Sequence, residues 1–178
     1  MKSQIAAETK QRILVSANKI IAENGLDQFT LEAVAKDAGV TKGGLFYHFP
    51  TKDSLLESLI QASIDIFECE LQDKLNSEPQ RSGRFTRAYL KTCFSPSQKV
   101  SFNAGMLAAI ASKPQLMAPI IEADKEWQRQ MENDGIEPAL AVALKLCGDG
   151  MWFDEFFGIQ PMNHKLKPKI LKTVLDLI

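Results

Sequence analysis

Apolar residues recur three and four positions apart along almost the whole chain, which is the spacing of one helix face. Alternation with a period of two persists nowhere, so no sheet is expected. The pattern predicts an all-α fold of about nine helices. The first helix is expected over 9–24, with Gly25 ending it.

Three further helices follow closely, and each begins after a threonine that can cap it. Thr30, Thr41 and Thr51 are the predicted N-caps, because a threonine hydroxyl accepts a hydrogen bond from a free N–H of the first turn. Gly39 ends the second helix and Pro50 ends the third. The fourth runs to about residue 75, and the remaining helices are expected over 84–94, 97–112, 115–133, 137–156 and 165–177.

The two short helices of this region are predicted to form a helix-turn-helix. They are joined by the sequence Asp-Ala-Gly-Val over 37–40, where Gly39 supplies the positive φ that a tight turn between crossed helices requires. Val40 and Leu45 are expected to fill the core that the helices share. In such a motif the second helix enters the major groove of DNA.

The stretch from Thr30 to Leu55 carries a set of residues with a distinctive order and spacing: Thr30, Ala35, Ala38, Gly39, Val40, Gly43, Leu45, His48, Phe49, Lys52 and Leu55. This set resembles the signature of the tetracycline-repressor (TetR) family of regulators. The resemblance covers roughly residues 9–60. It implies an N-terminal three-helix DNA-binding head over 1–52 and a C-terminal body over 53–178 for ligand binding and dimerisation. The family usually has Tyr where this chain has Phe46.

Eight residues are predicted to contact DNA, with the helix over 41–48 reading the bases. They are Thr30, Thr41, Lys42, Gly43, Gly44, Tyr47, His48 and Lys52. The threonines and lysines suit phosphate contacts, and the two glycines let the helix backbone approach closely. Leu45, Phe46 and Phe49 are assigned to the core, which leaves Tyr47 facing outward. The alternatives are simple capping, solvated lysines, a loose first turn and core aromatics.

The C-terminal body is rich in methionine and aromatic residues, which often line adaptable ligand pockets. Ordinary core packing is the alternative for most of them. By the resemblance, the pocket lies among the helices at about 54–76, 84–112 and 115–133. The residues predicted to bind a small, largely apolar effector are Phe67, Phe94, Met106, Ile110, Met117, Trp127 and Met131.

The last two helices are predicted to form a homodimer interface. The apolar stripe at the end of the chain needs a partner surface, and two glycines two positions apart allow close approach of a neighbouring helix. The expected interface residues are Gly148, Gly150, Trp152, Leu171 and Leu175. A local kink is the alternative reading of the glycine pair, and Asp149 between them is expected to be solvated.

Composition and charge exclude several classes of protein. The 178 residues are 45% hydrophobic, enough for a core, and the formal net charge is −1. Residues 1–52 carry seven Lys/Arg and five Asp/Glu, whereas 53–178 carry fourteen and seventeen, so the excess of positive charge lies in the predicted head. No signal peptide, transmembrane run or metal-ligand spacing is present, and three widely spaced cysteines fit a reducing cytoplasm.

The sequence therefore predicts a bacterial regulator of transcription, expected to be a repressor. It is expected to act in the cytoplasm as a homodimer on a palindromic double-stranded DNA operator, and to be released by a small-molecule effector. The two histidines lie far apart and no nucleophile or phosphate-binding motif occurs, so neither catalysis nor a cofactor or metal is expected. The alternative is a non-catalytic helical protein-interaction module with a borrowed helix-turn-helix fold.

Overall fold

The computed structural model describes residues 2–95, 104–157, 163 and 165–178. Over these residues the chain forms nine α-helices, one short 3₁₀ helix and no strand, which confirms the all-α prediction. The helices are α1 (Lys2–Gln28), α2 (Leu31–Asp37), α3 (Lys42–His48), α4 (Lys52–Ser77), α5 (Arg84–Cys93), α6 (Ala104–Ser112), the 3₁₀ helix (Pro114–Met117), α7 (Ala118–Glu132), α8 (Pro138–Phe157) and α9 (Lys167–Leu175).

Two helix boundaries differ from the predicted ones for clear reasons. Helix α1 begins at Lys2 instead of residue 9. The predicted stop at Gly25 is confirmed, because its φ of 72° and ψ of −176° are non-helical, and one further turn follows it up to Gln28. The predicted helix over 115–133 begins instead as a 3₁₀ turn. Pro119 lacks the N–H that would bond back to residue 115, so the α-helix starts only at Ala118. The predicted start of the sixth helix at residue 97 lies outside the described residues.

The chain divides into two compact units. The first comprises residues 1–63 and 99–120, and therefore contains α1 to α3, the first part of α4, α6 and the 3₁₀ helix. Within it α1 packs against both α2 and α6. Its largest fully buried side chains are Ile13, Ile21, Phe29, Leu45, Phe49, Leu55, Leu59, Ile60, Met106 and Leu116.

The second unit comprises residues 64–98 and 121–178, and α5 lies at its centre. Helix α5 packs against α8 and α9, and every residue from Phe85 to Leu90 is buried. Its start is fixed by Asp134, whose carboxylate accepts hydrogen bonds from the backbone N–H groups of Phe85 (3.0 Å) and Thr86 (2.8 Å). These bonds satisfy two donors that the first turn of a helix leaves free.

The boundary between the compact units falls inside α4, after residue 63, and the first unit also includes residues from the second half of the chain. The division predicted at residue 52 concerns function, since it separates the helix-turn-helix from the remainder. It stays a prediction about which residues contact DNA.

Candidate nucleic-acid interface

Helices α2 and α3 form the helix-turn-helix that the sequence predicted. The turn between them has Gly39 at φ 63°, and the N–H of Val40 bonds to the carbonyl of Ala35 at 3.0 Å. Val34, Ala35 and Leu45 are buried, so the two helices share one apolar core. The turn therefore holds α3 at a fixed angle to α2.

The predicted N-caps of both helices are formed. The hydroxyl of Thr30 accepts a hydrogen bond from the N–H of Ala33 at 3.1 Å, and that of Thr41 accepts one from the N–H of Gly44 at 3.0 Å. Thr51 caps α4 in the same way, through the N–H of Ser54 at 3.0 Å. Thr30 and Thr41 are exposed, so the hydroxyl group of each can form a further hydrogen bond on its solvent side.

The two glycines of α3 have different surroundings. A Cβ added at Gly44 would lie 3.1 Å from the Thr41 hydroxyl oxygen, so the absence of a side chain there protects the cap. A Cβ at Gly43 would meet nothing within 4 Å. Packing within the chain therefore does not account for Gly43, and its bare backbone is available to a surface outside the molecule.

The aromatic residues of α3 divide differently from the predicted arrangement. Leu45 and Phe49 are buried, as expected, but Phe46 is 38% exposed. Its assignment to the core is wrong, because Phe46 lies on the outer side of the helix with the Lys42 ammonium 5.7 Å from its ring centroid. Tyr47 is 81% exposed, which confirms its predicted outward orientation, and its ring contacts that of the half-buried His48.

The two lysines predicted to bind phosphate both have partners inside the chain. Lys42 forms a 2.6 Å ion pair with Glu32 of α2. The Lys52 ammonium donates to the backbone carbonyl of Leu26 at 3.3 Å and lies 5.1 Å from the Phe29 ring centroid. Both lysines are exposed, so these contacts lie at the surface where DNA would compete for them.

Sequence reasoning missed Glu32, which lies on the first turn of α2 and is 61% exposed at its side chain. The hydrogen bond from Lys42 holds the pKa of Glu32 below its usual value. An acidic residue this close to α3 would repel phosphate unless it were neutralised. No helix-internal spacing reveals the pair, because its two residues lie on different helices.

The seven residues predicted to bind an effector fall into two groups. Met106, Ile110 and Met117 belong to the first compact unit, where Met106 and Ile110 are buried. The other four lie in the second unit. Phe94 and Met131 are buried in its core, and Phe67 and Trp127 pack against that core with ring centroids 4.7 Å apart.

Tyr89 joins Phe67 and Trp127 in one aromatic cluster. Its ring lies 5.4 Å from that of Phe67 and 6.0 Å from that of Trp127. The Tyr89 hydroxyl donates to the Asp149 carboxylate at 2.6 Å. Burial raises the pKa of Tyr89 well above its ordinary value, so the phenol stays protonated and keeps this bond.

Asp149 is consequently not the solvated residue that the sequence predicted. Lys145, whose side chain is only 6% exposed, reaches both Asp149 (2.7 Å) and Asp124 (2.5 Å). Burial alone would lower the pKa of Lys145, but the hydrogen bonds to the two carboxylates outweigh it and hold the pKa above its usual value. The spacing of Lys145 and Asp149, one helical turn apart, was a signal that could have revealed the pair.

The residues predicted for a dimer interface also have unequal surroundings. A Cβ at Gly148 would lie 3.3 Å from the Cys93 sulfur, so Gly148 allows close approach of α5 from the same chain. Gly150 is exposed, with open space at its Cβ position. Trp152, Leu171 and Leu175 are half-buried and pack against the core of the second unit.

Helix α8 carries an exposed stripe that follows a spacing of four and three residues. Its members are Ala139, Ala143, Leu146, Gly150 and Phe153. Leu146 is 65% exposed, a high value for leucine in a helix that is otherwise part of a core. This spacing keeps one seam on a single side of the helix, as in two helices that pack along their length.

None of the described helices combines the length and apolar content that crossing a bilayer requires. Among the described residues no group of histidine, cysteine or acidic side chains is arranged to hold a metal ion. The three cysteines form no disulfide, and Cys93 is buried against Gly148.

Two family models match the chain. Residues 13–59 match the model described as bacterial regulatory proteins, tetR family. Residues 83–178, more than half of the chain, match the tetracyclin repressor-like C-terminal domain. The first match covers the helix-turn-helix, and the second covers α5 to α9.

Individual proteins are similar to the chain in its N-terminal part or in its fold. The transcriptional repressor BepR of Brucella suis is 42% identical over 55 residues, which are 31% of this chain and 26% of that protein. The structure of a TetR-family regulator from Rhodococcus sp. has a TM-score of 0.75 at 18% identity, over 96% of this chain and 98% of that one. The multidrug binding protein EbrR, complexed with imidazole, has a TM-score of 0.61 at 21% identity and 93% coverage of both chains.

Proposed function

Because the chain belongs to the TetR family of regulators, we propose that it represses transcription by binding a palindromic operator as a homodimer and leaving it when an effector binds. The curated relatives match over only about a quarter to a third of their length, so activity, ligand and partner are argued from this chain's own residues. It is expected to act in the cytoplasm, where its operator lies.

The observation that carries the proposal is the outer side of α3. Leu45 and Phe49 anchor the helix in the core, whereas Gly43 presents bare backbone and Tyr47 is 81% exposed. A helix anchored on one side, with small and aromatic residues on the other, suits the major groove, where base edges are read by side chains. Thr30, Thr41, Lys42, Gly44, His48 and Lys52 are proposed to position it on the backbone.

Dimerisation is proposed through the exposed stripe of α8. Leu146 and Gly150 lie on it, and the two small residues Ala139 and Ala143 allow a second copy of α8 to approach closely. Leu171 and Leu175 of α9 are also proposed for the interface, although both are half-buried and pack against the core of the second unit within their own chain. A two-fold axis through α8 gives two heads and hence a palindromic DNA site.

The effector is proposed to be small and largely apolar, and to bind beside the aromatic cluster of Phe67, Tyr89 and Trp127. All three rings lie in the second unit, and Phe67 is on α4, the helix that continues unbroken from the head. Solved EbrR structures hold ethidium and malachite green, both of them aromatic. A ligand that binds one conformation of α4 more tightly shifts the molecule toward it.

Fragments of genomic DNA selected by the purified protein give the operator, which a gel-shift titration then verifies. We expect specific binding that weakens steeply with salt, since lysine contacts to phosphate release counterions. Lys52→Ala should weaken binding to all sequences about equally and lower the salt slope by about one. Absence of any selected sequence would contradict the proposal and favour a protein-interaction module.

A further inference from the structure

The first compact unit contains a groove that lies outside the helix-turn-helix, since no residue of α2 or α3 lines it. Its volume is about 400 Å³, and it is lined by Glu57, Ser58, Gln61, Gln115, Ala118 and Pro119. The first three residues share one side of α4, and the others come from the 3₁₀ helix and the first turn of α7. This volume falls within the range of small-molecule sites in proteins.

The groove has an excess of negative charge, because one of the two acidic residues on this side of α4 has no basic partner in the described part of the chain. Asp53 lies one turn before Glu57 on the same side of α4, and it forms an ion pair with Lys113, which immediately precedes the 3₁₀ helix. Glu57 is exposed and forms no ion pair among the residues that the structure describes. It is also the one charged residue of the six in the lining, so the groove carries a single uncompensated negative charge.

We propose that this groove binds a small organic cation, with one primary ammonium or guanidinium group on a short carbon skeleton. The Glu57 carboxylate would accept the charged hydrogen bonds, which are stronger than bonds between neutral groups. Ser58 and Gln115 offer a hydroxyl and a carboxamide for further polar contacts, while the Ala118 methyl and the Pro119 ring meet the carbon skeleton.

The ligand would join the same two segments that the Asp53–Lys113 pair already joins. Helix α4 follows directly after α3 in the chain, and the part of α4 that lines the groove belongs to the first unit together with α3. A cation bound by Glu57 and Gln115 adds a second connection between α4 and the 3₁₀ helix. Because it binds the folded state, it raises the midpoint of thermal unfolding.

Three probes of similar size and different charge test the site: benzylamine, benzyl alcohol and benzoate. Amide resonances of the full-length protein, without DNA, are followed during titration. We expect benzylamine to shift the amides of the lining residues on both sides of the groove, whereas the alcohol binds at least tenfold more weakly and benzoate does not bind. Equal binding of all three probes, or shifts confined to the second unit, would overturn the proposal.

Glu57→Gln removes the charge and keeps the shape of the side chain, so it should weaken benzylamine binding about tenfold. Glu68→Gln is the control, because it removes a charge from an exposed site of α4 outside the groove, and it should leave benzylamine binding unchanged. Ala118→Phe fills the groove and should abolish binding. Unaltered affinity in both groove variants would refute the assignment. Since no DNA is present, the result is independent of whether the protein is a repressor.

Discussion

Tyr47 is the most exposed large side chain of α3, the proposed reading helix, and its removal should affect DNA binding and little else. We expect Tyr47→Ala to weaken binding to the selected operator by about 1–3 kcal/mol, the usual value of a base or close backbone contact. Because the side chain is 81% exposed, the free energy of unfolding should change by less than about 0.5 kcal/mol. Fluorescence anisotropy and urea unfolding measure the two quantities.

Tyr47→Phe removes only the hydroxyl, so it distinguishes the contribution of the hydroxyl to operator affinity from that of the ring. Full operator affinity in the phenylalanine variant would assign the contact to the ring, and a loss equal to that of the alanine variant would assign it to the hydroxyl. If Tyr47→Ala binds the operator with unchanged affinity, α3 does not read DNA through this residue.

Glu32 is expected to restrain the DNA affinity of the head. Its ion pair with Lys42 occupies a lysine that phosphate would otherwise attract. Glu32→Gln should therefore strengthen binding to specific and unrelated DNA alike, by about two- to fivefold, since exposed ion pairs contribute about 0–1 kcal/mol. Glu8→Gln removes an equivalent exposed charge from α1 and serves as the control.

The pH dependence of the same pair has a definite sign. Lys42 holds the pKa of Glu32 below its ordinary value, so the pair is fully formed above the usual glutamate range and is lost as the pH falls through the lowered pKa. Above pH 6 the effect of Glu32→Gln should consequently be constant. A change of affinity that varies between pH 6 and pH 8 would show that a group other than Glu32 controls it.

Residue-level prediction from the sequence succeeded where the determinant was local. The caps at Thr30 and Thr41 and the positive φ of Gly39 follow from the neighbouring residues alone, and all three are formed. Phe46 was misassigned because its apolar character was taken to mean burial, and hydrophobicity alone does not say which apolar side chain of a helix is left outside the core. The partners of Glu32 and Lys52 lie on other helices, so only the fold reveals them.

At the level of the elements, a buried ammonium group connects α7 to α8. Lys145 is 6% exposed and bonds to Asp124 of α7 and Asp149 of α8. Lys145→Ala would leave these two carboxylates close together without their cation. We expect it to lower the free energy of unfolding by about 2–3 kcal/mol, somewhat below the cost of breaking a fully buried pair, because both carboxylates are partly solvated.

Lys125→Ala is the matched control on α7. Lys125 is 68% exposed and pairs with Glu122 within the same helix, so its removal should cost less than about 0.5 kcal/mol. Urea unfolding of the two variants gives the difference. Equal stability of both would show that the Lys145 cluster contributes nothing to joining α7 and α8.

Helix positions were predictable because the spacing of apolar residues extends over whole helices, but their interruptions depended on single residues. Pro119 divides the predicted seventh helix into a 3₁₀ turn and α7. Gly25, with non-helical φ and ψ, interrupts α1 at the position where the sequence predicted its end. The cluster around Lys145 combines residues 89, 124 and 149, which lie far apart along the chain. Periodicity within one helix carries no information about such pairings.

At the level of the whole molecule, the sequence pattern also did not show which of the predicted effector residues lie together. The aromatic and methionine positions were grouped by composition, yet Met106 and Met117 belong to the unit that contains the helix-turn-helix, and Phe67 and Trp127 belong to the other. Which unit a helix joins is decided by non-local packing. Helix α6 packs against α1, a contact between distant parts of the sequence, and this contact assigns Met106 to the first unit.

The dimer proposal is best tested at Leu146. Its side chain is 65% exposed and lies on the stripe of α8, whereas Leu171 and Leu175 are half-buried, so glutamate at the latter positions would also disturb the fold. We expect Leu146→Glu to place two like charges opposite each other across the two-fold axis, and to convert the dimer to a folded monomer in sedimentation at micromolar concentration.

Ile121→Glu is the control, since it introduces the same charge at an exposed apolar residue of α7, 46% exposed, away from the stripe. It should remain dimeric. A palindromic operator requires two heads about one helical turn of DNA, roughly 34–36 Å, or a multiple apart. Leu146→Glu should therefore lose operator binding together with dimerisation, while its helical circular dichroism stays that of the parent chain. A Leu146→Glu protein that still sediments as a dimer would place the interface elsewhere than on α8.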